Sequence, residues 1–183
     1  MEDIEKFINS FRKERHDFMN CVQIIYGYLQ LDNTKEAIRY INKIIGENKD
    51  ISSLYALEDQ CFGFCMEKVI KELKQKEIEV DLDVEIDKLY KENFKNHYNK
   101  KEELINNIIN EIENNKLKFV YIYIFEDELG QSMMIANGES LINELEWMDD
   151  WEEKDSNISD ISIHKYVYGN NLAYRLTFLW YIK

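Results

Sequence analysis

The sequence predicts an α+β protein in which an N-terminal antiparallel helical hairpin precedes a small α/β sandwich. Three observations support this prediction: a seven-residue apolar repeat opens the chain, a period-two alternation begins near residue 78, and the 183 residues include no Pro and only six Gly. The repeat is typical of an amphipathic helix and the alternation of a half-buried strand. A chain of this length can bury one sizeable core or two small ones.

The first helix is expected from about residue 3 to 31. Ile4, Phe11, Phe18 and Ile25 recur every seven residues, and we assign them to heptad position a. Six further apolar residues complete the stripe beside them: Phe7, Ile8, Cys21, Val22, Tyr28 and Leu29. This stripe predicts that one side of the helix packs against other helices.

The opposite ridge of this helix is polar. Its f positions, the farthest from the seam, are Asn9, His16, Gln23 and Gln30. His16 is therefore expected to point to solvent, with Asn20 one turn on and Arg12 and Lys13 one turn back. With Arg15, these cations form a basic collar in a chain whose formal net charge is -13.

A second helix follows after a tight connection. Asn33 or Thr34 is expected to cap it, and it should run to about residue 48. Its apolar face carries Ala37, Ile38, Ile41, Ile44 and Ile45. A hairpin alone cannot bury both stripes, so we predict a homodimer that forms a four-helix bundle.

The sequence divides into a hairpin at 1–52 and an α/β domain at 53–183. Ser52 or Ser53 is expected to cap a third helix. The predicted elements of this domain are helices at about 52–76, 100–115 and 139–151 and strands at about 78–84, 117–125, 131–136, 160–168 and 172–182. Mixed strands and helices of this kind are typical of a layered α/β sandwich.

Composition excludes several classes of function. A pI near 4.7 argues against nucleic acid as a partner. The longest apolar stretch, 119–125, is too short to span a membrane, and the acidic N-terminus does not resemble a signal peptide. The number of cysteines is odd, and none of them has CxxC spacing: Cys21, Cys61 and Cys65. We therefore predict buried reduced thiols in a cytoplasmic protein and no metal site.

The segment Arg15-His16-Asp17-Phe18-Met19-Asn20, followed by Gln23, Ile25, Gly27 and Leu29, resembles the phosphoacceptor-histidine segment of the sporulation initiation phosphotransferase B family. A class of sensor histidine kinases has the same helical hairpin. Residues 54–84 also resemble that group, which carries a long helix and an edge strand after the hairpin.

This resemblance implies that His16 accepts a phosphoryl group and passes it on in a sporulation-type phosphorelay. Around it, Arg15 would offset phosphoryl charge, Asp17 would orient the imidazole, and Asn20 would support catalysis, including phosphatase activity. Three residues would dock the partner: Arg12, Lys13 and Gln23. The partners would be response-regulator receiver domains, which bring Mg²⁺, so no intrinsic cofactor is expected.

The C-terminal part resembles a degenerate GHKL-type ATPase domain, the catalytic domain of histidine kinases. Asn106 and Asn110 match the asparagines of the kinase N box. Where a kinase has Asp-x-Gly-x-Gly, this chain has Ala136, Gly138 and Ser140, and no Gly occurs between Gly138 and Gly169. An adenine pocket without its carboxylate and a phosphate site without its glycine-rich loop are not expected to hold ATP.

Three interpretations remain open from the sequence. The chain is a histidine phosphotransferase, a non-catalytic module that binds regulators or kinases, or an ATP-dependent kinase with an aberrant nucleotide site. Phosphoryl exchange with a phosphorylated regulator separates the first from the second, and nucleotide binding isolates the third.

Overall fold

The computed structural model describes residues 2–113, 118–137, 151–155, 157–168 and 171–179. It divides into two compact units, residues 1–49 and 50–183. The elements are α1 (Glu2–Gln30), α2 (Thr34–Ala56), α3 (Gln60–Gln75), β1 (Glu79–Val84), α4 (Tyr98–Glu113), β2 (Phe119–Asp127), β3 (Gly130–Ala136), β4 (Glu152–Lys154), β5 (Ile161–Tyr168) and β6 (Asn171–Phe178). The predicted α+β class is confirmed.

The predicted hairpin is formed by α1 and the first part of α2. The turn uses a left-handed residue, Asp32, with φ of 52°. Asn33 then caps α2, because its Oδ1 accepts a hydrogen bond from the backbone N–H of Glu36 at 3.4 Å. Between the helices the Tyr40 hydroxyl donates to Cys21 Sγ at 3.7 Å.

The predicted boundary between the second and third helices was wrong. Both Ser52 and Ser53 lie inside α2, and the expected division after residue 52 falls within that helix. The Ser53 hydroxyl donates to the carbonyl of Asp50 at 2.7 Å, so it is satisfied without ending the helix. The cap of α3 is Asp59 instead, whose side chain accepts from the backbone N–H of Phe62 at 2.9 Å.

The strands form one six-stranded sheet in the order β1-β2-β3-β6-β5-β4. The first two strands are parallel, and every other neighbouring pair is antiparallel. The five predicted strands are present. The last of them, predicted to residue 182, ends at Phe178, and residues 180–182 lie outside the described residues. Strand β4, only three residues long, was not predicted. The helix predicted at 139–151 lies, except for its last residue, outside the described residues.

Alternation along the strands separates the two faces of the sheet. In β2, Ile122 and Ile124 join the main core with apolar residues of α3 and α4. The other face carries Tyr121, Tyr123 and Phe125, and the last two rings stack with centroids 4.6 Å apart. The domain is therefore a helical layer on one face of a sheet, as the α/β sandwich prediction requires.

The second sheet face also buries an ion pair. Arg175 is 3% exposed, and its guanidinium donates to both carboxylate oxygens of Asp127 at 2.8 and 2.7 Å. The ring of Phe125 lies 5.0 Å from the guanidinium carbon. Because each charge here is paired and hydrogen-bonded, the arrangement avoids the large cost of an isolated buried charge.

The three cysteines are free, but only Cys65 is buried as predicted. Burial raises the pKa of the Cys65 thiol to about 12, so it stays protonated and unreactive near neutral pH. Cys21 and Cys61 are half-buried, contrary to the prediction. Among the described helices, none combines the length and hydrophobicity that a bilayer span requires.

Candidate functional site

The candidate site is the exposed polar ridge of α1 around His16. The His16 side chain is 73% exposed. Its Nδ1 atom has two polar neighbours: Asn20 Nδ2 at 3.2 Å and Asp17 Oδ1 at 3.5 Å. Within the described residues no side chain is hydrogen-bonded to Nε2, so this nitrogen remains accessible to an incoming group.

Helix geometry explains why the two neighbours differ. Residues four apart lie above one another on a helix, so Asn20 reaches the imidazole directly. Residues one apart point about 100° away from each other, and Asp17 therefore stands at the limit of hydrogen-bond distance. Both side chains of the His16–Asp17 pair are more than half exposed, so the pair contributes little to stability.

The basic collar surrounds His16 on the same helix. Arg12, Lys13 and Arg15 are exposed, as is Gln23 farther along the ridge. In the part of the chain that the structure describes, none of the three cations has an ion-pair partner. They present concentrated positive charge in an acidic protein, which favours a negatively charged partner or group.

Of the residues expected from a degenerate nucleotide site, the three that the structure describes do not form one cluster. Asn106 and Asn110 lie on α4 and line a groove of about 210 Å³ against α3. Ala136 is fully buried at the end of β3, in a separate apolar cluster with Tyr166 and Ala173. Gly138 lies outside the described residues.

The groove beside the two asparagines is crossed by an ion pair rather than left open for phosphate. Lys76 on the α3 side donates to Glu113 of α4 at 2.7 Å. Acidic Glu72 also lines it. In the described residues no group of three His, Cys, Asp or Glu side chains is arranged to hold a metal ion.

A polar cluster that the sequence did not indicate lies at the N-terminal end of α4. Lys101 is fully buried, and its ammonium donates to Asp160 Oδ2 at 2.6 Å and to the backbone carbonyl of Asn93. These contacts connect α4 with two loops of the sheet domain. No sequence pattern predicts the cluster, because Lys101 and Asp160 lie 59 residues apart.

Comparisons with known proteins bear mainly on the hairpin. No curated protein matches the chain. Among solved structures, the Acinetobacter baumannii histidine kinase AdeS is similar with 16% identity and a TM-score of 0.38, over 89% of this chain and 96% of that one. A similarity of this size does not distinguish one function from another. Residues 1–57, which carry His16, match the family described as sensor kinase SpoOB-type, alpha-helical domain.

Proposed function

We propose that this protein is a histidine phosphotransferase that relays phosphoryl groups between response-regulator aspartates in a sporulation-type phosphorelay. One observation supports this above all: His16 is exposed with Nε2 accessible and Nδ1 contacted by Asn20 and Asp17. The match of residues 1–57 to a SpoOB-type sensor-kinase helical domain favours two-component signalling as the setting.

In this proposal the Nε2 lone pair attacks the phosphorus of an aspartyl phosphate. A P–N bond forms, the P–O bond to the aspartate breaks, and the regulator's carboxylate leaves. The reverse step transfers the group to a second regulator. A neutral imidazole with a lone pair on Nε2 attacks directly, so this step needs no general base.

Phosphoryl transfer requires in-line positioning and compensation of charge on the phosphoryl oxygens. The receiver domain supplies Mg²⁺, and Arg15 and Lys13 add positive charge on the helix side. Arg12 and Gln23 extend this surface along the same ridge and contact the receiver domain. Because the docking is electrostatic, we expect it to weaken as ionic strength rises.

The proposed assembly is a homodimer in which two hairpins form a four-helix bundle. The apolar stripe is largely exposed in the single chain: Phe18 is 67% exposed, Ile4 62% and Ile45 60%. Burying an Ile or Phe side chain contributes about 1.5–3 kcal/mol, so covering both stripes is strongly favourable. His16 would remain on the outside of such a bundle.

The proposal assigns no ATP chemistry to the α/β domain. Ala136 offers no carboxylate to an adenine, and it is buried among apolar side chains. The two N-box-like asparagines face a groove that contains the Lys76–Glu113 ion pair. The domain then serves as a structural or regulatory partner of the hairpin rather than as a phosphoryl source.

The test is a phosphotransfer profile against the receiver domains of the source genome. Each receiver is phosphorylated on its aspartate with a labelled small-molecule donor and mixed with the purified protein. We expect label on the protein within minutes from at least one receiver and onward transfer to a second. Binding without transfer would favour the non-catalytic module, and labelling from ATP alone would favour the kinase.

A further inference from the structure

Two neighbouring cavities lie at the end of the sheet where β2 turns into β3. The first, of about 440 Å³, lies between the segment 85–90 that follows β1 and the end of β2. The second, of about 610 Å³, lies between the β2–β3 turn and the end of β6. Tyr90 and Glu126 line both cavities, so the two lie side by side as one groove, the Tyr90 groove. It is at the opposite end of β3 from Ala136.

A buried amide holds the walls of the Tyr90 groove together. Gln131 is 1% exposed, and its side chain bonds to the backbone of the segment 85–90 at two points. Its Nε2 donates to the carbonyl of Lys88 at 2.9 Å, and its Oε1 accepts from the N–H of Tyr90 at 2.9 Å. The Tyr90 hydroxyl also donates to Glu126. Walls fixed in this way lower the entropy cost of binding, because they need no ordering when a ligand enters.

Apolar side chains are exposed along this groove. The Tyr90 ring is 49% exposed, and Leu129, in the β2–β3 turn, is 62% exposed. Ile86 and Leu179 are half-buried in the lining. Large apolar side chains that remain in water around a cavity are typical of a binding surface. A site for a simple inorganic ion would give these side chains no role.

The rim of the groove is acidic. Its lining contains five carboxylates and one cation: Glu85, Asp87, Glu126, Asp127 and Glu128, with Lys88. Asp127 is paired with Arg175, but the other four carboxylate residues are exposed. None of these four has an ion-pair partner among the residues that the structure describes. Such a local excess of negative charge attracts cationic groups and repels anions.

We propose that the Tyr90 groove binds a basic, amphipathic peptide segment of a partner protein, so that the α/β domain is an interaction module. Charge complementarity specifies the cations of that segment, and the exposed apolar lining specifies hydrophobic residues between them. Arg and Lys suit this surface, since their aliphatic stems pack on apolar groups and their cations bind aromatic faces such as that of Tyr90. The acidic rim disfavours nucleic acids and phosphate ligands. The inference goes beyond the proposed phosphotransfer function and does not depend on His16.

The test uses a fluorescein-labelled octapeptide in which Arg and Leu alternate, titrated with the full chain and followed by fluorescence anisotropy. We expect saturable binding in the micromolar range that weakens as salt rises. A peptide with citrulline in place of every Arg keeps the shape without the charge and should bind at least about tenfold more weakly. Spermine, a small polycation without apolar side chains, should displace the labelled peptide only at much higher concentration.

Substitutions with matched controls separate this groove from a general attraction to an acidic protein. Glu126→Gln and Glu103→Gln remove the same charge, but Glu103 is an exposed residue of α4 outside the groove. Leu129→Ser and Val167→Ser form the apolar pair, since Val167 is 61% exposed on β5. All four residues are exposed, so folding should be unchanged. We expect each groove substitution to weaken binding about fivefold and each control less than about twofold.

The position of the bound peptide is measured from ¹H–¹⁵N spectra of the ¹⁵N-labelled chain. Unlabelled peptide should shift the amide signals of residues 85–90 and 126–131 more than any others. Equal weakening by Glu126→Gln and Glu103→Gln, or shifts centred on another surface, would overturn the inference. Displacement by spermine at the concentration of the peptide would overturn it as well, because the site would then bind charge alone. Absence of binding up to millimolar peptide would have the same consequence.

Discussion

The carboxylate of Asp59 accepts a hydrogen bond from the backbone N–H of Phe94 at 2.8 Å, across 35 residues of sequence. Its other oxygen caps α3 through Phe62 N at 2.9 Å. Asp59 is only 1% exposed, so both backbone donors are buried with it. One side chain thus fixes the start of a helix and the loop that precedes α4.

Asp59→Ala should therefore lower the free energy of unfolding by about 2–4 kcal/mol, since it removes a cap and leaves buried N–H groups without an acceptor. Asp59→Asn keeps one carbonyl oxygen and should cost less. Urea denaturation followed by circular dichroism measures both. An alanine variant as stable as wild type would show that these hydrogen bonds do not stabilise the domain.

Two helical glycines should respond in opposite directions to alanine. A Cβ at Gly27 meets nothing within 4 Å, so Gly27→Ala should raise stability by up to about 1 kcal/mol through helix propensity. A Cβ at Gly63 would lie 2.9 Å from the ring of Tyr55, whose hydroxyl donates to Glu67 at 2.6 Å. Gly63→Ala should destabilise by about 1–3 kcal/mol.

Thermal unfolding of the two glycine variants provides the comparison, and each kcal/mol corresponds to about 2–4 °C for a chain of this size. Each variant serves as the control for the other, because the substitution is identical and only the surroundings differ. A lower melting temperature for Gly27→Ala would indicate that a partner or second copy approaches that position.

His16→Gln should abolish phosphoryl transfer from receiver domains and leave folding unchanged, because an exposed residue contributes little to stability. His164→Gln and His97→Asn are the controls, with Asn chosen for His97 because its φ of 59° is left-handed. If the His16→Gln protein still acquires an acid-labile phosphoryl label, the phosphoacceptor is a different residue.

Dimerisation is predicted to depend on the apolar stripe of α1. Phe18→Asp and Ile25→Asp should each dissociate the dimer, because an unpaired charge in the bundle core costs several kcal/mol. Gln30→Asp adds the same charge on the polar ridge and should have no effect. Light scattering should give wild type twice the chain mass of 22.1 kDa; a monomeric wild type would refute the four-helix bundle.

Calorimetric titration with ATP and Mg²⁺ is expected to give only heats of dilution up to millimolar nucleotide. The physical reason is the absence of a carboxylate at Ala136, which is 0% exposed within its apolar cluster. Titration with Mg²⁺ alone is the control. A dissociation constant for ATP in the micromolar range would contradict the phosphotransferase proposal and favour a kinase.

The sequence alone determined the elements whose pattern is local and repeated. The heptads of α1 and the alternation in β1 follow from helix and strand periodicity, which neighbouring residues impose on one another. The sequence limited the cap of α2 to Asn33 or Thr34, and the structure shows that it is Asn33. The contact of Asn20 with His16 also follows from their spacing of four residues. In contrast, the segment at Ser52 and Ser53 looked like a cap and is helical, because Ser53 satisfies its hydroxyl within the helix.

Only the tertiary structure decided which charges are buried. Lys101 and Arg175 are indistinguishable in sequence from surface cations, yet they are 0% and 3% exposed. Their partners, Asp160 and Asp127, lie 59 and 48 residues away and approach only when the sheet forms. Burial of a charge depends on such a distant partner. Periodicity indicates which side of a helix or strand faces inward, but it does not indicate which distant residue will pack against that side.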